Sequence, residues 1–269
     1  MATKLLSRSS EFDALPYTDA KLELCSSGTL FRNSMKNRYP NILPPDHTRV
    51  PLITPDSQDD YINANYVDLN QQGTLSLIAC QGPLKSTISD FWLMVLQNTV
   101  STILMVTPLV EKGKTKCERY WPRQGEILKL DYGINVECHG SYQITDTIAV
   151  SELDLYCGLD HIEIKHFYYT GWPDFGVPDD QDVKMLLGLV MSSIDGVKST
   201  TPIVCHCSAG VGRTGTVAAI LRYYNTGEEP LEIVRKLRQQ RHGMVQTKEQ
   251  FRFVRGMCGS CTNKNETRC

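Results

Sequence analysis

Cys207 and Arg213 lie six positions apart in the run Val-Cys-His-Cys-Ser-Ala-Gly-Val-Gly-Arg-Thr-Gly at residues 204–215, separated by small residues. Gly210 and Gly212 let such a loop curl, so that the backbone N–H groups of Ser208, Ala209, Gly210, Val211 and Gly212 point into one concavity. A nest of this kind binds a tetrahedral oxyanion, and Arg213 supplies the planar fork that grips two of its oxygens. Beyond Arg213 the residues Val217, Ile220, Leu221 and Tyr224 recur at helical spacing. The N-terminus of that helix faces the same concavity and adds its partial positive charge. A thiol held there ionises below its free value of about 8.5, in the range of roughly 3.5–7.5. The chemistry is that of a thiolate nucleophile beneath a bound phosphate.

The spacing alone is a weak signal, and the chain carries its own control. Cys117 and Arg123 are also six apart, but Glu-Arg-Tyr-Trp-Pro lies between them, with no glycine and two bulky aromatics. No nest forms from such a segment. The glycines, the preceding apolar Ile203-Val204-Cys205 and the following helical pattern distinguish the second instance. A phosphate monoester also needs a proton for its leaving oxygen. Asp174 is the candidate donor, in Gly171-Trp172-Pro173-Asp174-Phe175-Gly176-Val177-Pro178, where glycines can hinge and prolines and aromatics stiffen a lid. On the residues alone, an aspartate at a turn is an equal reading.

The elements that must position these groups read as strands first and helices later. Residues 75–80 and 102–106 are short apolar strands. Between them Ile88, Phe91, Trp92, Val95 and Leu96 form one face of a helix. Residues 117–150 read as strands and turns, and residues 162–169 alternate as another strand. Helices follow at 183–193 and 212–225. A third opens at Pro230, and the last begins at Thr247 with Gln250 as its capping-box partner. This order predicts a single α/β domain, a twisted mixed β-sheet flanked by helices, with the phosphate-binding loop between a strand and a helix. Residues 1–35 read as a helical N-terminal segment of that domain, 36–257 as its body and 258–269 as a tail.

His-Cys-Ser-Ala-Gly-Val-Gly-Arg-Thr-Gly at 206–215 resembles the signature of the tyrosine-specific protein tyrosine phosphatases. Lys36-Asn37-Arg38-Tyr39, Asp60-Tyr61-Ile62-Asn63-Ala64, Gln81-Gly82-Pro83, Tyr120-Trp121-Pro122, Trp172-Pro173-Asp174-Phe175-Gly176 and Gln246-Thr247 also resemble family segments, in the family's order. The resemblance implies hydrolysis of phosphotyrosine proteins through a cysteinyl-phosphate, with no cofactor and no metal. It implies Cys207 as nucleophile, Asp174 as general acid and then base, and Gln246 as the residue that positions water. Thr214 would stabilise the departing thiolate, while His206 and Tyr120 would tune it by hydrogen bonding. The lesser reading of each is a buried polar group merely satisfied by its neighbours.

Glu111 resembles the carboxylate that fixes the signature arginine, and Lys116 the lysine that meets the closed lid. Tyr39 would wall a cleft too deep for phosphoserine or phosphothreonine. Asn41 stands where some relatives have an aspartate that binds the peptide backbone, and Gly243 resembles a gateway glycine that leaves the cleft accessible. Arg238 and Arg241, in the neighbouring charged helix, read as contacts for acidic flanks or as a solvated face.

Composition narrows the alternatives. The chain has 269 residues and a formal net charge of -2, which argues against a nucleic-acid surface. No apolar run approaches a membrane span, and the opening residues are too polar for a secretory signal. The ten cysteines are therefore read as reduced, with Cys80, Cys117 and Cys205 as small hydrophobes in strand-like segments. Cys258-x-x-Cys261 lacks a second pair for a zinc site. The expectation is a monomeric cytoplasmic enzyme whose partners are phosphotyrosine proteins, with no nucleic acid or membrane. A catalytically inactive phosphotyrosine-binding module would have lost Cys207, Arg213 or Asp174. A lipid-directed loop would carry a lysine within the signature.

Overall fold

Residues 77–80, 102–105 and 203–206 are buried at every position, the pattern of strands covered on both faces. In the computed structural model, which describes residues 12, 13, 15, 22–56, 58–70, 75–173, 176–194 and 201–259, these runs become the centre of one sheet. Its strands are β1 (Ala64–Asp68), β2 (Ser76–Cys80), β3 (Thr102–Met105), β6 (Ile127–Lys129), β7 (Asn135–Gln143), β8 (Ile148–Cys157), β9 (Asp160–Tyr169) and β10 (Ile203–His206). The order across the sheet is β1-β2-β10-β3-β9-β8-β7-β6. Strands β2, β10, β3 and β9 run parallel, and the outer pairs are antiparallel. A separate hairpin joins β4 (Val110–Glu111) to β5 (Lys114–Thr115).

Alternation along the central strands sends side chains into two cores. Leu77, Ala79, Leu104, Ile203 and Cys205 face α2 (Asp180–Ile194), α3 (Gly212–Thr226), α4 (Pro230–Gln240) and α5 (Lys248–Gly259). Ile78, Cys80, Ile103, Met105 and Val204 face α1 (Ile88–Gln97), where Phe91 and Trp92 pack against Tyr120. Helix α3 is buried from Gly212 through Arg222; its residues there are small or apolar apart from Arg213 and Arg222, which are paired with Glu111 and Glu228. The polypeptide leaves the C-terminal end of β10 directly into the 207–211 loop and α3. A strand therefore aims Cys207 and a helix N-terminus receives it.

The sequence reading places these strands and helices within a few residues. Three features differ. Strand β1 and the β4–β5 hairpin are additional. Cys117 is buried but lies in an irregular segment rather than a strand. Helix α5 runs to Gly259, so Cys258 belongs to the packed core rather than to a fraying tail, while Cys261 lies outside the described residues. In the N-terminal region, single helical turns occupy Leu22–Leu24, Ser26–Thr29 and Phe31–Lys36.

Candidate active site

Cys207 sits at the floor of a cleft of about 290 Å³, 5% exposed. Tyr39, Asn41, Ile42, Glu111, Lys116 and Gln246 line its walls. The Gly210 N–H points at the sulfur, 3.3 Å away. Gly210 has φ +71°, and a Cβ there would collide with the carbonyl oxygen of Cys80. Only glycine lets this loop turn so tightly against β2. Gly212 acts differently from the expected second hinge. It is already the first residue of α3, and a Cβ there would lie 3.0 Å from Gln246 Oε1. Its missing side chain makes room for the glutamine.

Burial raises the pKa of any thiol, yet that of Cys207 is lowered. The hydroxyl and amide of Thr214, the charge of Arg213 and the Gly210 amide outweigh desolvation. The neighbouring thiols show the opposite: burial pushes Cys80 up to about 12 and Cys205 well above its usual value. Thr214 Oγ1 is fully buried and has no conventional hydrogen-bond partner among the described residues. The sulfur is the one polar group whose ionised form it favours besides that of Cys205.

Arg213 is held from behind. Its Nη1 donates to Thr107 Oγ1 at 3.0 Å and its Nη2 to Glu111 Oε1 at 2.8 Å. Lys116 Nζ lies 3.6 Å from the other oxygen of Glu111. Two cations share one carboxylate, which leaves one positive charge to balance the Cys207 thiolate.

Three consecutive side chains fasten the loop that carries Tyr39. Lys36 pairs with Asp59 at 2.5 Å and Asp90 at 3.0 Å. Asn37 Oδ1 accepts from Tyr61 and Asn63. Arg38 donates to the carbonyls of Gly82 (2.9 Å) and Pro83 (2.7 Å). Tyr39 is thereby fixed at the cleft wall. Ser208 Oγ gives its proton to the Lys116 carbonyl at 2.8 Å, so the Tyr39 hydroxyl is the donor in their 2.9 Å contact.

The remaining expected residues fall as follows. Gln250 Oε1 accepts from the amides of Gln246 (2.8 Å) and Thr247 (3.3 Å), and Thr247 Oγ1 accepts from the Gln250 amide, which completes the capping box. Gln250 also reaches the cleft wall. His206 and Tyr120 are fully buried beneath Cys207 and hydrogen-bonded to one another at 2.7 Å. Gly243 is a left-handed turn residue, φ +76°, and does not line the cleft. Asp174 lies outside the described residues; its neighbour Trp172 is buried, with Nε1 donating to the Gly176 carbonyl at 3.2 Å.

The reading of Arg238 and Arg241 as surface contacts is overturned. Both point inward, 4% and 0% exposed. Arg238 donates to the carbonyls of Met244 and Val245. Arg241 donates to Gly210 O (2.8 Å), Ala209 O (3.1 Å), Asn65 Oδ1 (2.6 Å) and Asn63 Oδ1 (2.8 Å). It braces the back of the signature loop. The sequence did hold a signal for Arg238, which follows Val234 by four on the buried stripe of α4; Arg241 is the extended residue that ends that helix. Thr107 and Ile42 are further site residues that no motif singled out.

Residues 33–258 match the family model for protein-tyrosine phosphatase. The chain belongs to the protein-tyrosine phosphatase family. It is 40% identical over 244 residues to "Tyrosine-protein phosphatase Lar-like" of Caenorhabditis elegans, covering 87% of this chain and 11% of that protein. It is 40% identical over 252 residues to human "Receptor-type tyrosine-protein phosphatase eta", covering 88% of this chain and 18% of the relative. It is 37% identical over 248 residues to human "Tyrosine-protein phosphatase non-receptor type 12", covering 88% and 31%. The chain thus spans less than a third of the length of these curated relatives. The mixed sheet with flanking helices is the protein-tyrosine phosphatase fold. Among the described residues, no helix of this phosphatase domain is long and apolar enough to cross a membrane.

Proposed function

We propose that this phosphatase domain hydrolyses phosphotyrosine in proteins through a covalent cysteinyl-phosphate. The observation that carries the reading is the juxtaposition of a low-lying thiol, a loop amide aimed at it and a guanidinium locked by Thr107 and Glu111. The Cys207 thiolate attacks phosphorus in line, and the P–O bond to tyrosine breaks. The non-bridging oxygens take hydrogen bonds from the 208–213 amides and from Arg213. Asp174 gives its proton to the departing tyrosine oxygen, then takes one from the water that Gln246 positions. That water releases inorganic phosphate, and Thr214 Oγ1 supplies a hydrogen bond to the thiolate as it leaves.

Depth sets the substrate class. The sulfur lies at the cleft floor and Tyr39 stands beside it, which favours a phosphate carried on an aromatic stem. Asn41 meets the peptide backbone at the cleft wall. The domain is proposed to work as a monomer in the cytoplasm, where its eight described cysteines would stay reduced. The test compares phosphotyrosine, phosphoserine and phosphothreonine peptides of one sequence, with chelator present. Only the phosphotyrosine peptide should turn over, and Cys207→Ser should abolish turnover. Equal rates on all three peptides, or activity that needs added metal, would refute the reading.

A further inference from the structure

Behind the nucleophile lies a chain of three side chains that the cleft does not reach. His206 Nδ1 is 3.1 Å from the carbonyl oxygen of Cys207, and its Nε2 is 2.7 Å from the Tyr120 hydroxyl. The same hydroxyl is 2.7 Å from His166 Nε2. All three residues are 0% exposed. Chemistry assigns the protons. A carbonyl only accepts, so His206 carries its hydrogen on Nδ1 and presents a lone pair at Nε2. Tyr120 therefore donates to His206. Its single proton is then used, so its oxygen accepts from His166, which must be the Nε2–H tautomer.

Both rings stay neutral, because burial pushes His206 down to about 4 and His166 well below the usual histidine range. His166 Nδ1 is left as a buried lone pair with no partner among the described residues. Trp121 packs on the His166 ring at 4.5 Å. A phenylalanine would fill that space without an orphaned nitrogen, so shape alone does not account for the histidine. What only histidine supplies here is the donor to Tyr120.

We propose that His166 is a positioning residue for the nucleophile: by donating to Tyr120 it locks His206 as the tautomer whose Nδ1–H holds the Cys207 carbonyl. The planar trans peptide then turns the Ser208 N–H away from that carbonyl and into the concavity. Each hydrogen bond also polarises the next, which strengthens the final one. The inference rests on Cys207 being the nucleophile of the proposed reaction.

Two measurements without substrate test it. Long-range ¹H–¹⁵N spectra of the unmodified domain near pH 6.5 should show His206 as Nδ1–H and His166 as Nε2–H. The opposite tautomer at either ring, or a doubly protonated ring, overturns the relay. The pH dependence of Cys207 alkylation by iodoacetamide is the second readout. In His166→Phe the apparent thiol pKa should rise by about 1, slowing alkylation about tenfold on the acidic limb of the profile, below both pKa values. His166→Gln, whose amide nitrogen reaches the Nε2 position, should restore the rate to within about twofold. Tyr120→Phe should match His166→Phe, and the double variant should be no worse. Equal shifts in the Phe and Gln variants, additive shifts in the double variant, or no shift at all would overturn the proposal. None of these outcomes depends on phosphotyrosine hydrolysis, so failure of the relay and failure of the phosphatase reading are distinguishable.

Discussion

Arg241→Met removes the one side chain that ties the signature loop to both β1 and the turn before it. Three buried acceptors, the Gly210 carbonyl and the side chains of Asn63 and Asn65, and the half-buried Ala209 carbonyl lose a charged donor. Each orphaned buried acceptor costs about 1–3 kcal/mol. Against this, the desolvation of a fully buried guanidinium, several kcal/mol, is no longer incurred. The difference is a destabilisation of about 3 kcal/mol, which lowers Tm by roughly 6–12 °C in a domain of this size. The loop amides also lose their brace, and a displacement of about 1 Å at the sulfur costs on the order of 10² in kcat/KM. Arg241→Lys keeps the charge without the planar fork and should recover little. Thermal unfolding and p-nitrophenyl phosphate kinetics on the same preparations provide the assay. A solvated arginine would be worth no more than about 0.5 kcal/mol. A Tm within 2 °C of the unmodified domain, with kcat/KM within about twofold, would refute the assignment of Arg241 as a brace.

Glu111→Gln weakens the bond that aims Arg213 and leaves Lys116 without its carboxylate. It should lower kcat/KM about 10- to 100-fold, the weight of a charged hydrogen bond, and an unchanged value would separate Glu111 from the site. The buried histidines make stability depend on pH with a definite sign. Their folded-state pKa values lie below the unfolded value of about 6.5, so the unfolded chain binds more protons and stability falls on acidification. His206 alone should contribute a loss of about 3 kcal/mol between pH 7 and its folded value of about 4. Denaturant unfolding from pH 7 to 5 should show that slope, reduced by about one proton in His166→Phe; a flat profile would contradict it. Asp174→Ala should reduce turnover about 10²- to 10⁴-fold with little change in substrate affinity, measured by stopped-assay kinetics and by retention of phosphotyrosine peptides.

Continuous apolar runs made β2, β3 and β10 legible, because strands covered on both faces need no alternation. The Thr247–Gln250 cap and Pro230 start were legible for local reasons, since each satisfies or removes an orphan amide at a helix start. Strand β1 was not, because Asn65 and Asp68 interrupt it and the pairing with β2 that makes it a strand is not local. The charge of Arg238 masked its place on the apolar stripe of α4, and Arg241 lies just past that helix, where no period reaches it. His166 shares the face of Ile162, Ile164 and Tyr168, so the signal was a titratable ring in an apolar stripe. Its partner Tyr120 is distant in sequence, and no period or motif links them. The glutamine and the signature glycines were recognised as a set, but Gly212 acts by yielding space rather than by its backbone freedom.

The central claim is that phosphate passes through Cys207. The direct test is rapid acid quench of Gln246→Ala with a ³²P-labelled phosphotyrosine peptide, followed by peptide mapping at early times. Gln246 is assigned to the second step, so the variant should form the cysteinyl-phosphate quickly and hydrolyse it slowly. The account predicts close to one equivalent of label on the peptide containing Cys207, with a matching burst of dephosphorylated product. Label on another residue, or a slow first turnover with no label on Cys207, would contradict it.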